Sequence, residues 1–324
     1  MRRKLLFALM AASLFITAAA ARADTLRKVS FRPHWVPQAQ FAGYYVALAK
    51  GFYQEAGIDL EIRPGGPGIS ALNNVAAGKD TFCAEWLISG ISVVTQGGPL
   101  VNIAQMLQTG GLMLVTLKKS GIDDPHKMDG RTVGVWPGRL AIAPTVFFER
   151  LGIRPKLFSQ KFSIEEMLGG QIDVASAMTY NEYHSILESG VKSSDLNTFF
   201  FRDYGLNFPE DGIYAHAETV KKDPELCRGF VKASIKGWLY SFEHPEEAVS
   251  IVMTAAGEAK TGTTIQHQTT MLEEIRKMML FRVRPDSIGE LAPADFDFVQ
   301  DVMKTHNLIV RPLKFDDFHH PMYK

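Results

Sequence analysis

Hydrophobic residues recur with two different periods between Val29 and Ile62, and these periods predict a strand, a helix and a second strand. The short apolar run 29–31 is typical of a strand, and the prolines that follow end it. Beyond Pro37 the apolar residues recur at helical spacing as far as Phe52. The residues from 58 to 62 then alternate between apolar and polar, as in a second strand. Together these elements predict a βαβ unit, whose two strands run parallel.

The same succession of strands and helices continues through most of the chain. Further strands are predicted at 81–85, 100–107, 112–117, 132–136, 172–178, 199–201 and 213–215. The polar, turn-rich residues 123–130 separate an early group of elements from a later one, and the C-terminal third is helical. The pattern therefore predicts two α/β units. If the strand at 213–215 returns to the first sheet, the first lobe is discontinuous, 24–115 plus 207–324, and the second lobe, 116–206, is inserted in it.

The first 23 residues have the composition of a cleavable signal peptide. Arg2, Arg3 and Lys4 precede an apolar stretch, and residues 21–23 match the A-x-A cleavage signature. The alternative is a membrane anchor, but the apolar stretch is short for a membrane span. The first cysteine is Cys83, so the cleavage site has no cysteine that would carry a lipid. We therefore expect a signal peptide at 1–23 and a free periplasmic protein of a Gram-negative bacterium.

The charges are balanced, with 35 basic and 35 acidic residues in the whole chain. Loss of the basic leader leaves a slight acidic excess, which gives no electrostatic reason to bind nucleic acid or anionic lipid. Cys83 and Cys227 are compatible either with one disulfide or with two buried thiols. The sequence shows neither metal-ligand spacing nor a catalytic arrangement, so we expect no metal, no cofactor and no enzymatic activity.

Aromatic and polar residues lie at the predicted carboxyl ends of the first-lobe strands, where ligands bind in open α/β sheets. Trp35 offers a face for a flat heterocycle, although a tryptophan in a loop can equally close the edge of a core. The side-chain amides of Gln38 and Gln40 can form hydrogen bonds with a ring nitrogen or carbonyl, or they can be exposed to solvent. The glycine loop 65–68 can approach a ligand closely or form an ordinary turn. The first-lobe candidates are Trp35, Gln38, Gln40, Tyr44, Gly65, Gly66, Gly68, Glu85 and Trp86.

Two segments of the second lobe carry the remaining candidates. Trp136 and Arg139 lie at a strand-to-helix turn, where Arg139 either faces the first lobe or lies on the surface. Tyr180, Asn181 and Glu182 follow a predicted apolar strand. A carboxylate there can accept hydrogen bonds from an amino group and a protonated ring nitrogen in parallel. The alternative is an acid that stabilises a helix N-terminus.

Several motifs resemble those of one family of solute-binding proteins. The chain contains W-x-P, then G-x-Y-x-A-x-x-K-G-x-Y and G-I-D-L, and later AMTYNEY. These motifs resemble the ABC-importer proteins that capture thiamine pyrimidine precursors, the ThiY-like group. The segments AQFAGYYVA and GGPG are similar to the riboflavin-binding, RibY-like branch. The resemblance covers nearly all of the chain after the leader.

This resemblance implies a two-lobed type II periplasmic-binding-protein clamshell, each lobe a doubly wound, mainly parallel sheet with flanking helices. It implies a monomer that closes on a small heteroaromatic ligand, a thiamine pyrimidine precursor or riboflavin, and delivers it to an inner-membrane ABC permease and its ATPase. Glu182, with Asn181 beside it, matches the position that binds an aminopyrimidine. Two alternatives stay open: a binding protein for a sulfonate or another small organic solute, and an enzyme similar to hydroxymethylpyrimidine phosphate synthase. The cysteine-dense tract of that enzyme is missing here.

Overall fold

The computed structural model describes residues 26–309 and 311–323, so the signal peptide predicted at 1–23 lies outside the described residues. The strands are β1 Arg27–Pro33, β2 Ile58–Ile62, β3 Phe82–Trp86, β4 Leu100–Gln105, β5 Leu112–Leu117, β6 Thr132–Val135, β7 Lys156–Ser159, β8 Ala175–Met178, β9 Leu196–Phe200 and β10 Asp211–His216. The α-helices are α1 Ala42–Ala49, α2 Phe52–Glu55, α3 Ala71–Ala76, α4 Leu87–Thr95, α5 Ile142–Leu151, α6 Glu165–Leu168, α7 Glu182–Glu188, α8 Ala217–Lys222, α9 Pro224–Glu243, α10 Pro245–Glu258, α11 Ile265–Met279, α12 Pro293–Thr305 and α13 Phe315–Phe318. Short 3-10 helices lie at Ala39–Phe41, Lys118–Ser120, Pro125–Met128, Gly138–Ala141, Ser193–Asp195, Phe201–Tyr204 and Pro285–Ser287.

The first lobe contains a five-stranded sheet in the order β2-β1-β3-β10-β4. Strand β1 is parallel to both β2 and β3, which confirms the predicted βαβ unit. Strand β10 is antiparallel to β3 and β4. It enters the sheet where β3 and β4 end, with Asp211 opposite Trp86 and Gly212 opposite Gln105. A strand that returns from the second lobe at this edge has to run against the strands that end there.

The second lobe contains five strands in two groups that meet edge to edge. Strand β5 is antiparallel to its neighbours β8 and β9, and β6 is parallel to β7. A parallel bridge between Val133 and Val174 joins the groups. The α/β fold is thus as predicted, but the first sheet is mixed and the second lobe combines an antiparallel three-stranded sheet with a parallel pair. The predicted lobe boundary after residue 115 falls inside β5, and this strand pairs only within the second sheet. The chain therefore leaves the first sheet before Leu112.

Two connections between the lobes lie side by side, residues 106–111 on the way out and 201–210 on the way back. Gly111 N–H donates to Glu210 Oε1 at 2.6 Å, and Thr109 Oγ1 donates to Asn207 Oδ1 at 2.7 Å. These bonds tie the outgoing and returning connections together beneath the space between the lobes.

The C-terminal helices cover the first sheet and complete its core. Asp223 accepts a hydrogen bond from Leu226 N–H, and Pro224 occupies the first turn, so the cap predicts the start of α9 correctly. Cys83 and Cys227 are both buried free thiols, and they belong to separate clusters of the core. Within the described residues, no helix has the length and hydrophobicity required to cross a bilayer.

Candidate functional site

A cavity of about 350 Å³ lies between the two lobes at the carboxyl ends of β1 and β3. Residues 34–40, 66–69 and 85–89 of the first lobe contribute to its wall. The second lobe contributes the segments that follow β6 and β8, together with Phe162. We call this cavity the cleft. Of the residues that the sequence predicts, the structure brings together Trp35, Gln38, Gln40, Gly66, Gly68, Glu85, Trp86, Trp136, Arg139, Tyr180, Asn181 and Glu182.

Aromatic rings from both lobes meet in the cleft. Trp35 and Phe162 have ring centroids 5.0 Å apart in an edge-to-face arrangement, and Phe162 lies 5.7 Å from Trp136. Trp136 is almost fully buried, and its indole N–H donates to Lys161 O at 3.0 Å, which fixes its ring. Phe162 is about half exposed, so its face is accessible from the cleft. The arrangement provides large apolar faces for a flat ligand.

A chain of polar side chains supports the floor of the cleft. His34 Nε2 contacts Asp211 Oδ1 at 3.0 Å, and Gln40 Nε2 donates to Asp211 Oδ2 at 3.1 Å. Because the carboxylate accepts, the amide nitrogen of Gln40 must point toward it, which leaves Gln40 Oε1 to accept from Gln38 Nε2 at 2.6 Å. Asp211 therefore orients both amides.

The buried acids and His34 alter one another's protonation. Burial lowers the pKa of His34, but the charge and hydrogen bond of Asp211, with the charges of Glu85 and Glu210, raise it to about 9. Burial and the adjacent charge of Asp211 raise the pKa of Glu210 to about 8, against the effect of the Gly111 and Tyr180 donors. Both His34 and Glu210 thus keep their protons to a higher pH than the same side chains do in water.

Glu182 and its neighbours form a tight turn between β8 and α7. Glu182 Oε2 accepts from Met178 N–H at 3.0 Å, and its Oε1 accepts from Asn181 Nδ2 at 2.8 Å. Burial raises the pKa of Glu182, while these donors oppose the rise. Tyr180 OH donates to Glu210 Oε2 at 3.1 Å. Glu182 therefore holds its own turn, and any contact with a ligand uses lone pairs that these bonds leave available.

Two predicted site residues lie outside the cleft. Tyr44 is buried in the core of the first lobe, where its ring contacts Phe31 and Trp238, so its assignment to the cleft is wrong. Its helical face meets α9 rather than the second lobe. Gly65 does not line the cleft either. A Cβ at this position would lie 2.1 Å from Pro33 O, so only glycine fits here. This glycine lets its loop pack against the backbone that carries Trp35.

Several residues of the cleft are missing from the sequence prediction. His34 follows the first strand directly, and its position beside Trp35 is a signal that was available. Phe162 and Ser89 lie in segments without a comparable signal. The indole Nε1 of Trp86 is buried and has no hydrogen-bond partner among the described residues. Across those residues, no cluster of three His, Cys, Asp or Glu side chains suits a metal ion.

Comparisons with known proteins agree with this architecture. The chain is 26% identical over 263 residues to the riboflavin-binding protein RibY of Chloroflexus aurantiacus, covering 77% of this chain and 72% of the relative. It is 24% identical over 269 residues to a formylaminopyrimidine-binding protein of Halalkalibacterium halodurans, covering 78% and 79%. A 4-amino-5-hydroxymethyl-2-methylpyrimidine phosphate synthase of Saccharomyces cerevisiae is 22% identical over 235 residues, covering 68% and 69%.

A solved structure shows the same fold. The periplasmic aliphatic sulphonate binding protein SsuA of Escherichia coli superposes with a TM-score of 0.71 at 11% identity, covering 90% of this chain and 96% of that one. The fold is therefore that of the periplasmic binding proteins. The model of the family described as NMT1/THI5 like matches residues 38–248, which is more than half of the chain. The chain belongs to the NMT1/THI5-like family.

Proposed function

We propose that this protein is the periplasmic substrate-binding component of an ABC importer and captures a heteroaromatic vitamin or vitamin precursor between its lobes. The observation that carries this proposal is the aromatic cleft, in which Trp35 of one lobe meets Phe162 of the other. Because the two rings already touch edge to face, a flat ligand would enter by separating them, and a hinge motion of the lobes would allow this and then close on the ligand. The names of the riboflavin-binding and formylaminopyrimidine-binding relatives support the same ligand class. A leader at 1–23, a monomer and a membrane permease with its ATPase belong to this proposal.

The second candidate is a binding protein for a sulfonate. The protonated His34 and the guanidinium of Arg139 favour it, since a sulfonate needs hydrogen-bond donors and positive charge. However, the carboxylates of Glu85 and Glu182 line the same cleft and oppose an anion. The aromatic faces would also remain unused by a small aliphatic sulfonate. The balance of these groups favours a neutral or weakly basic heteroaromatic ring.

An enzymatic function is the third candidate, because one relative is a synthase. The two cysteines of this chain are buried, and burial raises the pKa of the Cys227 thiol to about 12. Burial also raises the pKa of the Cys83 thiol, so neither is a ready nucleophile. These features support a binding protein without turnover.

Mass spectrometry of the native protein tests the proposal most directly. The chain without residues 1–23 would be purified without denaturant and then unfolded, and the released ligand would be identified by its mass and fragmentation. We expect a heteroaromatic compound of the flavin or aminopyrimidine type. Recovery of an alkanesulfonate or an amino acid would reject the proposal.

A matched pair of variants links the ligand to the cleft. Phe162→Ala removes an aromatic face of the cleft, whereas Tyr204→Ala removes another partly exposed aromatic residue, which lies on the returning connection and outside the cleft. Phe162→Ala should retain much less ligand than the natural protein, and Tyr204→Ala should retain as much. Equal retention by both variants would place the ligand elsewhere.

A further inference from the structure

A second cavity lies beside the cleft, and three side chains line both spaces. It measures about 320 Å³. Trp35, Gln38 and Asn181 form the wall that it shares with the cleft. The rest of its wall comes from Val36, Pro37, residues 261–264 and the start of α11 in the first lobe, and from α7 in the second. The second cavity therefore also lies between the lobes and is open to solvent.

Apart from Trp35, Val36 and Pro37, the side chains that line this second cavity are polar, and several of them carry hydroxyl groups. Ser185, Thr263 and Thr264 contribute to its wall. Gln268 Nε2 donates to Thr263 Oγ1 at 2.8 Å, and His267 N–H donates to Thr264 Oγ1 at 3.1 Å. Each threonine hydroxyl is the acceptor in these bonds, so its own O–H is left to donate. The wall thus presents groups that can both give and receive hydrogen bonds.

His267 and Glu188 of this cavity are in contact with each other. The ring of His267 is buried, with Nδ1 3.1 Å from Glu188 Oε1 and Nε2 2.9 Å from Asn181 Oδ1. Because Asn181 Nδ2 donates to Glu182, its Oδ1 must face His267 and accept. Of the described residues that line the cavity, none is a lysine or an arginine. The cavity therefore lacks the cations that bind phosphate or sulfonate, and Glu188 would repel an anion.

We infer that the second cavity holds a neutral, polyhydroxylated tail of the ligand whose ring occupies the cleft. The inference rests on the proposed function and narrows the ligand to an aromatic ring that carries a sugar-like chain. Such a chain donates and accepts along its length, as the hydroxyl, amide and carboxylate groups of the wall require. A ring without a tail would leave this polar space to water, and a terminal phosphate would meet Glu188.

Calorimetric titration with three flavins separates the ring from the tail. Riboflavin carries a neutral polyhydroxyl chain, lumiflavin carries a methyl group in its place, and flavin mononucleotide adds a phosphate to the chain. We expect riboflavin to bind roughly tenfold or more tightly than lumiflavin, because several hydrogen bonds are added. Flavin mononucleotide should bind more weakly than riboflavin.

Variants on α7 connect this difference to the second cavity. Ser185→Ala removes a wall hydroxyl and should weaken riboflavin binding by roughly threefold to tenfold, with no change for lumiflavin. The matched control is Ser189→Ala, one helical turn later, whose hydroxyl donates to Ile186 O and lies outside the cavity. Glu188→Gln removes the charge that repels phosphate. The difference in affinity between riboflavin and flavin mononucleotide should therefore become smaller.

The outcomes distinguish this inference from the proposed function. Equal affinity for riboflavin and lumiflavin would overturn the tail site and leave the aromatic cleft standing. Tighter binding of flavin mononucleotide would overturn the neutrality of the tail. Binding of 4-amino-5-hydroxymethyl-2-methylpyrimidine but of none of the flavins would also overturn the tail site while preserving the proposed function. Failure of all four compounds to bind would reject both proposals.

Discussion

At the scale of single residues, Glu182 combines a structural role with a proposed binding role. Its two carboxylate oxygens accept from Met178 N–H and from Asn181 Nδ2. In Glu182→Gln, the new NH₂ group must face one of these donors, because an amide has only one oxygen. We expect the free energy of unfolding to fall by about 1–3 kcal/mol, since a buried donor loses its acceptor. Guanidinium denaturation measures this loss.

A surface substitution provides the control for Glu182. Glu243→Gln makes the same chemical change at an exposed position in the last turn of α9 and should change stability by less than about 0.5 kcal/mol. If Glu182→Gln is as stable as the natural protein but binds ligand more weakly, the carboxylate contacts the ligand and does not stabilise the turn between β8 and α7.

Trp35 and Tyr44 show how far sequence determines the place of a residue. The pattern assigns both to the cleft, but only Trp35 lines it. Trp35 follows a strand that Pro33 ends, so its position at a carboxyl end is encoded locally. Tyr44 lies on a helical face whose partner is Trp238, almost two hundred residues later. Helical spacing defines faces, whereas contacts distant in sequence decide which face becomes core.

At the scale of elements, two glycines allow α1 and α9 to pack at close range. A Cβ on Gly237 would lie 2.1 Å from Gly43 O and 2.7 Å from Ala47 Cβ. Alanine favours a helix over glycine by about 1 kcal/mol, but here the added methyl group would meet backbone that cannot move alone. We expect Gly237→Ala to destabilise the fold by about 1–3 kcal/mol through overpacking. Thermal unfolding measures the shift.

A substitution at a second helical glycine separates the effect of overpacking from the effect of helix propensity on stability. Gly257 lies near the end of α10, and an added Cβ there meets nothing within 4 Å. Gly257→Ala should therefore stabilise the protein by about 0.5–1 kcal/mol. If both substitutions raise the midpoint of unfolding, the contact between α1 and α9 is looser than the structure indicates.

The prediction of elements succeeds where the signals are local. The change of hydrophobic period defines the βαβ unit, and Asp223 with Pro224 defines the start of α9. Strand β5 shows the limit of such signals, because Leu112–Leu117 has the same apolar character as β4 but pairs in the other sheet. A short apolar run predicts that a strand exists, whereas the neighbours of that strand in a sheet depend on where the chain crosses between the lobes. The antiparallel direction of β10 is likewise a consequence of the crossing.

At the scale of the whole molecule, the connections between the lobes bury ionisable groups beneath the cleft. Glu210 lies on the returning connection and accepts from Gly111 on the outgoing one, and Asp211 begins β10 beside His34. Both His34 and Glu210 retain their protons to a higher pH in the folded protein than in the unfolded chain. The stability of the two-lobed structure is therefore linked to pH.

This linkage predicts a loss of stability on the alkaline side of neutrality. Glu210 titrates near 4.5 when unfolded and near 8 when folded, so its contribution is complete below pH 4.5 and is lost as the pH approaches 8. His34 titrates near 6.5 when unfolded and near 9 when folded, so its contribution is lost between these values. We expect the free energy of unfolding to fall by a few kcal/mol between pH 6.5 and pH 9. Denaturation at half-unit steps of pH measures the slope.

Glu210→Gln isolates the carboxyl contribution to this slope. The amide resembles the neutral acid, because its oxygen can accept from Gly111 N–H. The Tyr180 hydroxyl donates to Oε2 in the natural protein, and in the variant it can rotate and accept from the new NH₂. Because the amide does not titrate, the variant should lose less stability between pH 6.5 and pH 8, while the decline due to His34 persists up to pH 9. Parallel curves for the variant and the natural protein would show that Glu210 is ionised throughout this range. The two connections would then be joined by a carboxylate rather than by a neutral acid.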